Sequence, residues 1–176
     1  MSNDNFDKIS FIFKRRSIRN YEEKRVLDED IDLLLKASMA GPSAAGKDPW
    51  RFIVVKHNST LKKIAEGLTN GKFIADAPLG IVVCGDINAA HGNEESYMLQ
   101  DCSAAIENLL LAANELGLGA VWLGVHPRED RIKHIKNIFS LPENIIPVSC
   151  IAIGYPANRK EPRTRFKQDY VHYDKW

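Results

Sequence analysis

A chain of 176 residues is long enough for one domain with a real core and short for two. Its composition, 44% hydrophobic and 27% charged, is that of an ordinary globular protein, and 24 Lys+Arg against 23 Asp+Glu give no general reason to expect a nucleic-acid or membrane partner. The charge is nevertheless uneven: Lys14, Arg15, Arg16, Arg19, Lys24 and Arg25 crowd one stretch, and Arg159, Lys160, Arg163, Arg165 and Lys167 crowd another.

The opening MSNDNFDKIS carries acids where a secretory signal carries bases, and no run approaches the roughly 18 apolar residues of a membrane span. From Asp7 to Arg15, Ile9, Ile12 and Phe13 fall at helical spacing. A second helix is expected from Asp28, its candidate N-cap, with Ile31, Leu34, Leu35 and Ser38 on one face, ending at Gly41-Pro42. Arg51–Lys56 and Gly80–Cys84 read as buried strands with a helical stretch over Leu61–Leu68 between them. The longest helix should run from Glu95 to Leu116, where Met98, Cys102, Ala105, Leu109, Ala112 and Leu116 form a stripe that Ile106, Leu110 and Ala113 widen. Gly117 and Gly119 end it. Ala120–Gly124 is then a strand, Asp130–Phe139 a helix and Pro147–Gly154 a last core strand. Residues 156–176 lack periodicity yet hold Phe166, Tyr170, Tyr173 and Trp176, which reads as an extended arm packed on something, a partner subunit being the leading candidate. The class is α/β or α+β around one central sheet.

Several apparent motifs dissolve on inspection. Gly41–Lys47 (GPSAAGK) fits seven places of a phosphate loop, but Asp48 replaces the hydroxyl residue that would meet Mg²⁺, and a helix instead of a strand precedes it. The five histidines show no metal-ligand spacing, so no metal is expected; Ser43 has no nucleophile elbow around it. Cys84, Cys102 and Cys150 are widely spaced, which argues against a disulfide framework and for a reducing, cytoplasmic compartment.

What remains is Lys14-Arg15-Arg16-Ser17-Ile18-Arg19 at the end of the first helix. Three guanidiniums and a hydroxyl within Arg15–Arg19 can grip a phosphate through forked, charge-assisted bonds, or can simply be a solvated helix end. Context comes from KRRSIR, then GPSAAGKDPWRFIVV, then DCSAAIENLLLAANELGLGAVWLG, then IAIGYP with Pro162-Arg163-Thr164-Arg165 after it. This succession resembles the nitroreductase family over nearly the whole chain.

The resemblance implies one nitroreductase-like domain over residues 1–176: an α+β fold with a mainly antiparallel mixed sheet flanked by helices. It further implies a homodimer that exchanges its C-terminal arms, with FMN at the interface. NADH or NADPH would be the reductant and a small molecule, such as a nitroaromatic or quinone, the electron acceptor. Arg15, Arg16, Ser17 and Arg19 match positions that hold the ribityl phosphate and pyrimidine edge. Pro42, Ser43, Ala44, Gly46 and Asp48 match the loop that a partner lays against the ring; Trp122, Leu123 and Gly124 match the backbone beside it. Arg163 and Arg165 resemble a late basic pair completing the phosphate pocket. Gly46 and Asp48 depart from the Asn and Gln common in the family: Gly46 offers only its N–H, and Asp48 can accept but not donate. No side chain is expected to act as catalytic acid or base, since the flavin does the chemistry. Other flavin reactions on the same scaffold, such as reductive dehalogenation or flavin fragmentation, and a non-enzymatic flavin-binding role stay open. Trp50 reads as a packing anchor, Asn108 as structural and Trp176 as a clamp for the arm.

Overall fold

The computed structural model describes residues 4–158 and 160–176. Helix α1 (Asp4–Lys14) forms where Phe6, Ile9, Ile12 and Phe13 recur at three- and four-residue steps, and Phe6 stacks on Phe13 with ring centroids 5.0 Å apart. Helix α2 (Asp28–Met39) follows, then strand β1 (Trp50–Val55), helix α3 (Asn58–Glu66) and strand β2 (Leu79–Asp86). Helix α4 (Glu95–Glu115), strand β3 (Gly119–Gly124), helix α5 (Glu129–Phe139) and strand β4 (Ile145–Gly154) complete the order.

One boundary expectation needs correction. Leu27, not Asp28, occupies the α2 N-cap, with ψ 148° and no side-chain cap bond. Asp28 is the first helical residue, and its carboxylate is taken by Lys56 at 2.6 Å and Arg25 at 3.0 Å. Hydrogen bonds from Lys56 and then Arg25 hold this carboxyl below its ordinary pKa, while its charge still complements the helix N-terminus.

The sheet has four strands in the order β1-β2-β4-β3, and every neighbouring pair is antiparallel. The parallel element of the expected mixed sheet shrinks to a single bridge, Ser17 to Ala120. Central β2 is buried on both faces because alternate residues serve two separate layers. Leu79, Ile81 and Val83 pack with Met98, Ile106 and Leu109 of α4 and Leu34 of α2; Val82 and Cys84 pack with Ile64 of α3 and Ile135 of α5. Within β4 the bulge opposite Val83/Cys84 shifts the alternation, so Val148 joins Ile151 and Ile153 on the α4 side.

Helix α4 spends its broad stripe on its own chain. Met98, Cys102, Ala105, Ile106, Leu109 and Ala113 are each 0% exposed, and Ser38 of α2 donates to Ala105 O at 2.8 Å across the helix pair. Asn108 donates to Ala37 O at 3.2 Å, the structural role its position suggests, and Trp50 is buried as an anchor. Apart from Tyr97 in its first turn, the uncovered apolar surface lies off α4, on Phe6, Ile9 and Ile12 of α1, on Leu27, Leu33 and Met39 at α2, and on the tail. There Phe166, Tyr170, Tyr173 and Trp176 are 68%, 73%, 77% and 101% exposed. Trp176 meets the His172 ring at 4.3 Å and clamps no core element of its own chain.

All three cysteines are buried and unpaired. Burial pushes the thiols of Cys84 and Cys102 up to about 12, and raises Cys150 further. Because the thiolate is the reactive form, native protein at pH 8 should resist iodoacetamide and label at all three sites only in denaturant. Native labelling counted by mass spectrometry would contradict this packing.

Candidate functional site

The basic run leaves α1 and lies down beside β3. Ile18 N–H donates to Ala120 O at 3.1 Å, next to the Ser17–Ala120 bridge. Contact is close enough to require Gly119, where an added Cβ would fall 2.7 Å from Ile18 Cβ. Tyr21 pins the far end, its hydroxyl within hydrogen-bond reach of Ile18 O (2.7 Å) and Ala152 O (3.0 Å). Desolvation pushes this phenol above its ordinary pKa, so it stays a neutral donor.

The chain after β4 then runs back along this segment in the opposite direction. Glu22 N–H donates to Tyr155 O (2.9 Å), Tyr21 bridges Pro156, Ala157 N–H donates to Asn20 O (3.1 Å), and Arg163 N–H donates to Phe13 O (3.1 Å). Side chains add to the seam: Lys160 Nζ donates to Ser17 O at 3.2 Å and the Arg16 guanidinium donates to Glu161 O. The two basic stretches, far apart in sequence, are thereby laid side by side. Arg159 lies outside the described residues.

Between them opens a cleft of about 420 Å³ lined by Ile12, Arg15, Arg16, Ser17, Arg19, Lys160, Arg163 and Arg165. No carboxylate is among its lining residues. Arg15 is partly balanced from outside by Glu107, Nε to Oε1 3.3 Å. Repulsion from Arg165, then Arg16, with a smaller part from Arg15, holds Arg163 below its ordinary pKa. Such a cleft is electrostatically incomplete without an anion. Lys160 is a lining residue that motif reasoning passed over, its signal being only its place in a basic cluster.

Arg19 also lines a second cleft of about 210 Å³, with Leu68, Asn70, Gly71, Trp122, Leu123, Gly124 and Arg131. The structure thus brings the β3 segment to the early arginines through one shared residue. Arg19 additionally stands 5.7 Å from the Phe73 ring centroid.

Pro42–Asp48 behaves differently. It lines neither cleft, and Ala45 to Asp48 are exposed. Ala45, Gly46 and Asp48 have φ of 52°, 62° and 49°, and each left-handed non-glycine costs about 1–2 kcal/mol. Local bonds hold them: Ser43 Oγ donates to Asp48 Oδ1 at 2.5 Å, and Gly46 N–H donates to Ser43 O at 3.1 Å. The Gly46 N–H and one Asp48 oxygen, both open to a ring by the sequence reading, are therefore already engaged within the loop. Asp101, absent from that reading, fixes the loop to α4 by accepting Ala44 N–H at 2.9 Å through Oδ1. It is 5% exposed and its Oδ2 has no partner among the described residues. An acid inside an apolar helix stripe was its one sequence signal.

The nitroreductase family profile matches residues 12–71 and 65–155. The chain belongs to the nitroreductase family. It is 45% identical over 171 residues to a protein of Archaeoglobus fulgidus assigned as an NADH dehydrogenase/NAD(P)H nitroreductase, covering 96% of this chain and 98% of that one. A crystal structure of a similarly assigned protein from Parabacteroides distasonis superposes with TM-score 0.91 at 38% identity, over 97% and 99% of the two chains. Another, from Desulfovibrio desulfuricans, was determined in complex with FMN; it is 30% identical, covers 96% of each chain and has TM-score 0.82. Membership agrees with the α+β architecture and with an antiparallel sheet bordered by helices on both faces.

If the cleft is short of negative charge, Arg163→Ala should leave the thermal midpoint of protein in phosphate-free buffer unchanged or raised. Inorganic phosphate should then raise the wild-type midpoint more than that of the variant. A variant that melts several degrees lower without phosphate would show that Arg163 is a structural group.

Proposed function

We propose that this oxidoreductase holds FMN in the Arg15–Arg165 cleft, as one flavin-binding domain per chain, and uses NADH or NADPH to reduce a small acceptor such as a nitroaromatic or quinone. The observation that carries the reading is the cleft itself: five guanidiniums, Lys160 and the Ser17 hydroxyl around one space lined by no acid. That donor set suits a phosphate monoester, which takes several charge-assisted bonds at once. The FMN complex of the Desulfovibrio desulfuricans relative supports the same choice.

In this arrangement Arg15, Arg16, Ser17, Arg163 and Arg165 bind the phosphate, with Lys160 beside them. Arg19, shared by both clefts, faces the pyrimidine edge, and Trp122, Leu123 and Gly124 line the ring. FMN, when bound, supplies hydride acceptance from the nicotinamide and electron delivery to the acceptor, in alternating half-reactions. The protein supplies position and charge; no side chain needs to move a proton.

The Pro42–Asp48 loop reaches its ring through a second copy. Its absence from the walls of both clefts and its exposure support this, as do the apolar faces of α1 and α2 and the aromatic tail. A C₂ homodimer covers such faces with one self-complementary contact, commonly of more than about 2,000 Å² when obligate. Three free buried thiols and the lack of any helix long and apolar enough to cross a membrane among the described residues accord with a cytoplasmic setting.

Each charge-assisted contact is worth roughly 1.5–3 kcal/mol, so Arg15→Ala should weaken FMN binding about ten- to a hundredfold. Riboflavin should bind poorly to wild type and be little affected by the change. Wild-type FMN affinity in a fluorescence titration of the variant would refute the phosphate assignment.

Removing residues 167–176 takes away Tyr170, Tyr173 and Trp176 and spares Arg163 and Arg165. The truncated protein should dissociate at higher concentration than wild type and lose flavin in parallel, measured by sedimentation at the flavin wavelength. A full-length holoprotein that sediments as a monomer at micromolar concentration would defeat the shared site; a truncated dimer with full flavin would defeat only the exchanged arm.

A further inference from the structure

Arg131 belongs to none of the motifs that single out the other arginines. It stands in the first turn of α5, where the helix's own partial positive charge disfavours a cation. It is half-buried, and its Nη1 donates to Gly124 O at 2.7 Å. The cleft it lines with Arg19, Asn70 and Trp122 has no carboxylate on its walls, and among the described residues no ion pair neutralises it. A guanidinium tethered by one N–H keeps further donors and a positive charge at the cleft wall, while Glu129 and Asp130 of the same turn do not line the cleft.

Resting on the flavin reading above, we propose that Arg131 is a positioning residue for the Gly124 peptide beside the ring, and that its charge raises the reduction potential of the bound FMN. The physical basis is differential. Two electrons delivered by NAD(P)H leave the cofactor more negative, and a fixed cation near the ring stabilises that state over the oxidised one. Arg131 exchanges neither proton nor electron. Its position seven residues after Gly124 follows from the turn into α5, which folds the first helical turn back over the end of β3.

The two halves of the role separate by substitution. Arg131→Gln keeps an N–H donor for Gly124 O and removes the charge; Arg131→Lys keeps the charge and alters the fork. In a potentiometric titration of FMN-loaded protein, Arg131→Gln should lower the midpoint by about 30 mV, the equivalent of a tenfold change for a two-electron couple. Arg131→Lys should stay near wild type. By linkage, reduced FMN should bind about tenfold more weakly to Arg131→Gln while oxidised FMN is held within about threefold. An unchanged midpoint in a glutamine variant that retains its flavin would overturn the proposal. So would equal weakening of both redox forms, which is what a merely structural role gives. A wild-type protein that binds no FMN at all would instead remove the flavin reading, and this role with it.

Discussion

Backbone hydrogen bonds in this protein hold together two pieces of chain that their own charges push apart. Residues 13–22 and 155–163 pair in opposite directions through main-chain contacts at Phe13, Asn20 and Glu22. Their side chains meanwhile gather Arg15, Arg16, Lys160, Arg163 and Arg165 about one cleft. A typical intramolecular hydrogen bond contributes a net ~1 kcal/mol, and like charges at a wet surface repel by a similar amount per close pair. The seam is therefore stable without being strongly so, and an arriving dianion converts its least favourable term into a favourable one.

What lets the seam exist is the sheet beneath it. Tyr155 follows directly on β4, which is buried along most of its length and locked between β2 and β3. Gly119 leaves room for Ile18 to pack against β3, so the basic run is seated on the best-packed part of the molecule. The opposite side is organised by α4, whose Asp101 reaches out of an otherwise apolar stripe to catch the Ala44 N–H. One sheet and one helix thus present two fixed surfaces, a cationic cleft and a strained loop, that a single chain does not bring into contact.

Much of this was legible in the residues. Periodicity located helices α1 to α5 and strands β1 to β4, though not the short 3-10 turns such as Lys72–Asp76, because both sheet faces are covered and hydrophobic runs and stripes had little reason to mislead. The two basic clusters stood out in the sequence, and the family resemblance joined them. Three things were hidden. Asp28 looked like a cap because capping and ion pairing use the same residue type, and only the fold brings Lys56 to it. The α4 stripe did not reveal which apolar surface stays open: its own chain buries most of it, and the large exposed apolar side chains sit chiefly on α1, α2 and the tail. Arg131 lies in an amphipathic helix where a basic residue is unremarkable until Gly124 O is found 2.7 Å from its guanidinium.

The seam also has a consequence in time. Its cleft is built from residues 12–19 and 160–165, two stretches that 140 residues of sequence separate. During synthesis the first basic stretch emerges early and must wait, unpaired, until β4 has been made and the chain turns back along it. The sheet order β1-β2-β4-β3 leaves β3 without its neighbouring strand until β4 is made, so the second wall of the cleft follows directly on completion of the sheet. The cleft is therefore assembled only after the sheet that carries it. The concentrated positive charge of the cleft is thus gained late in folding, when both basic stretches are in place.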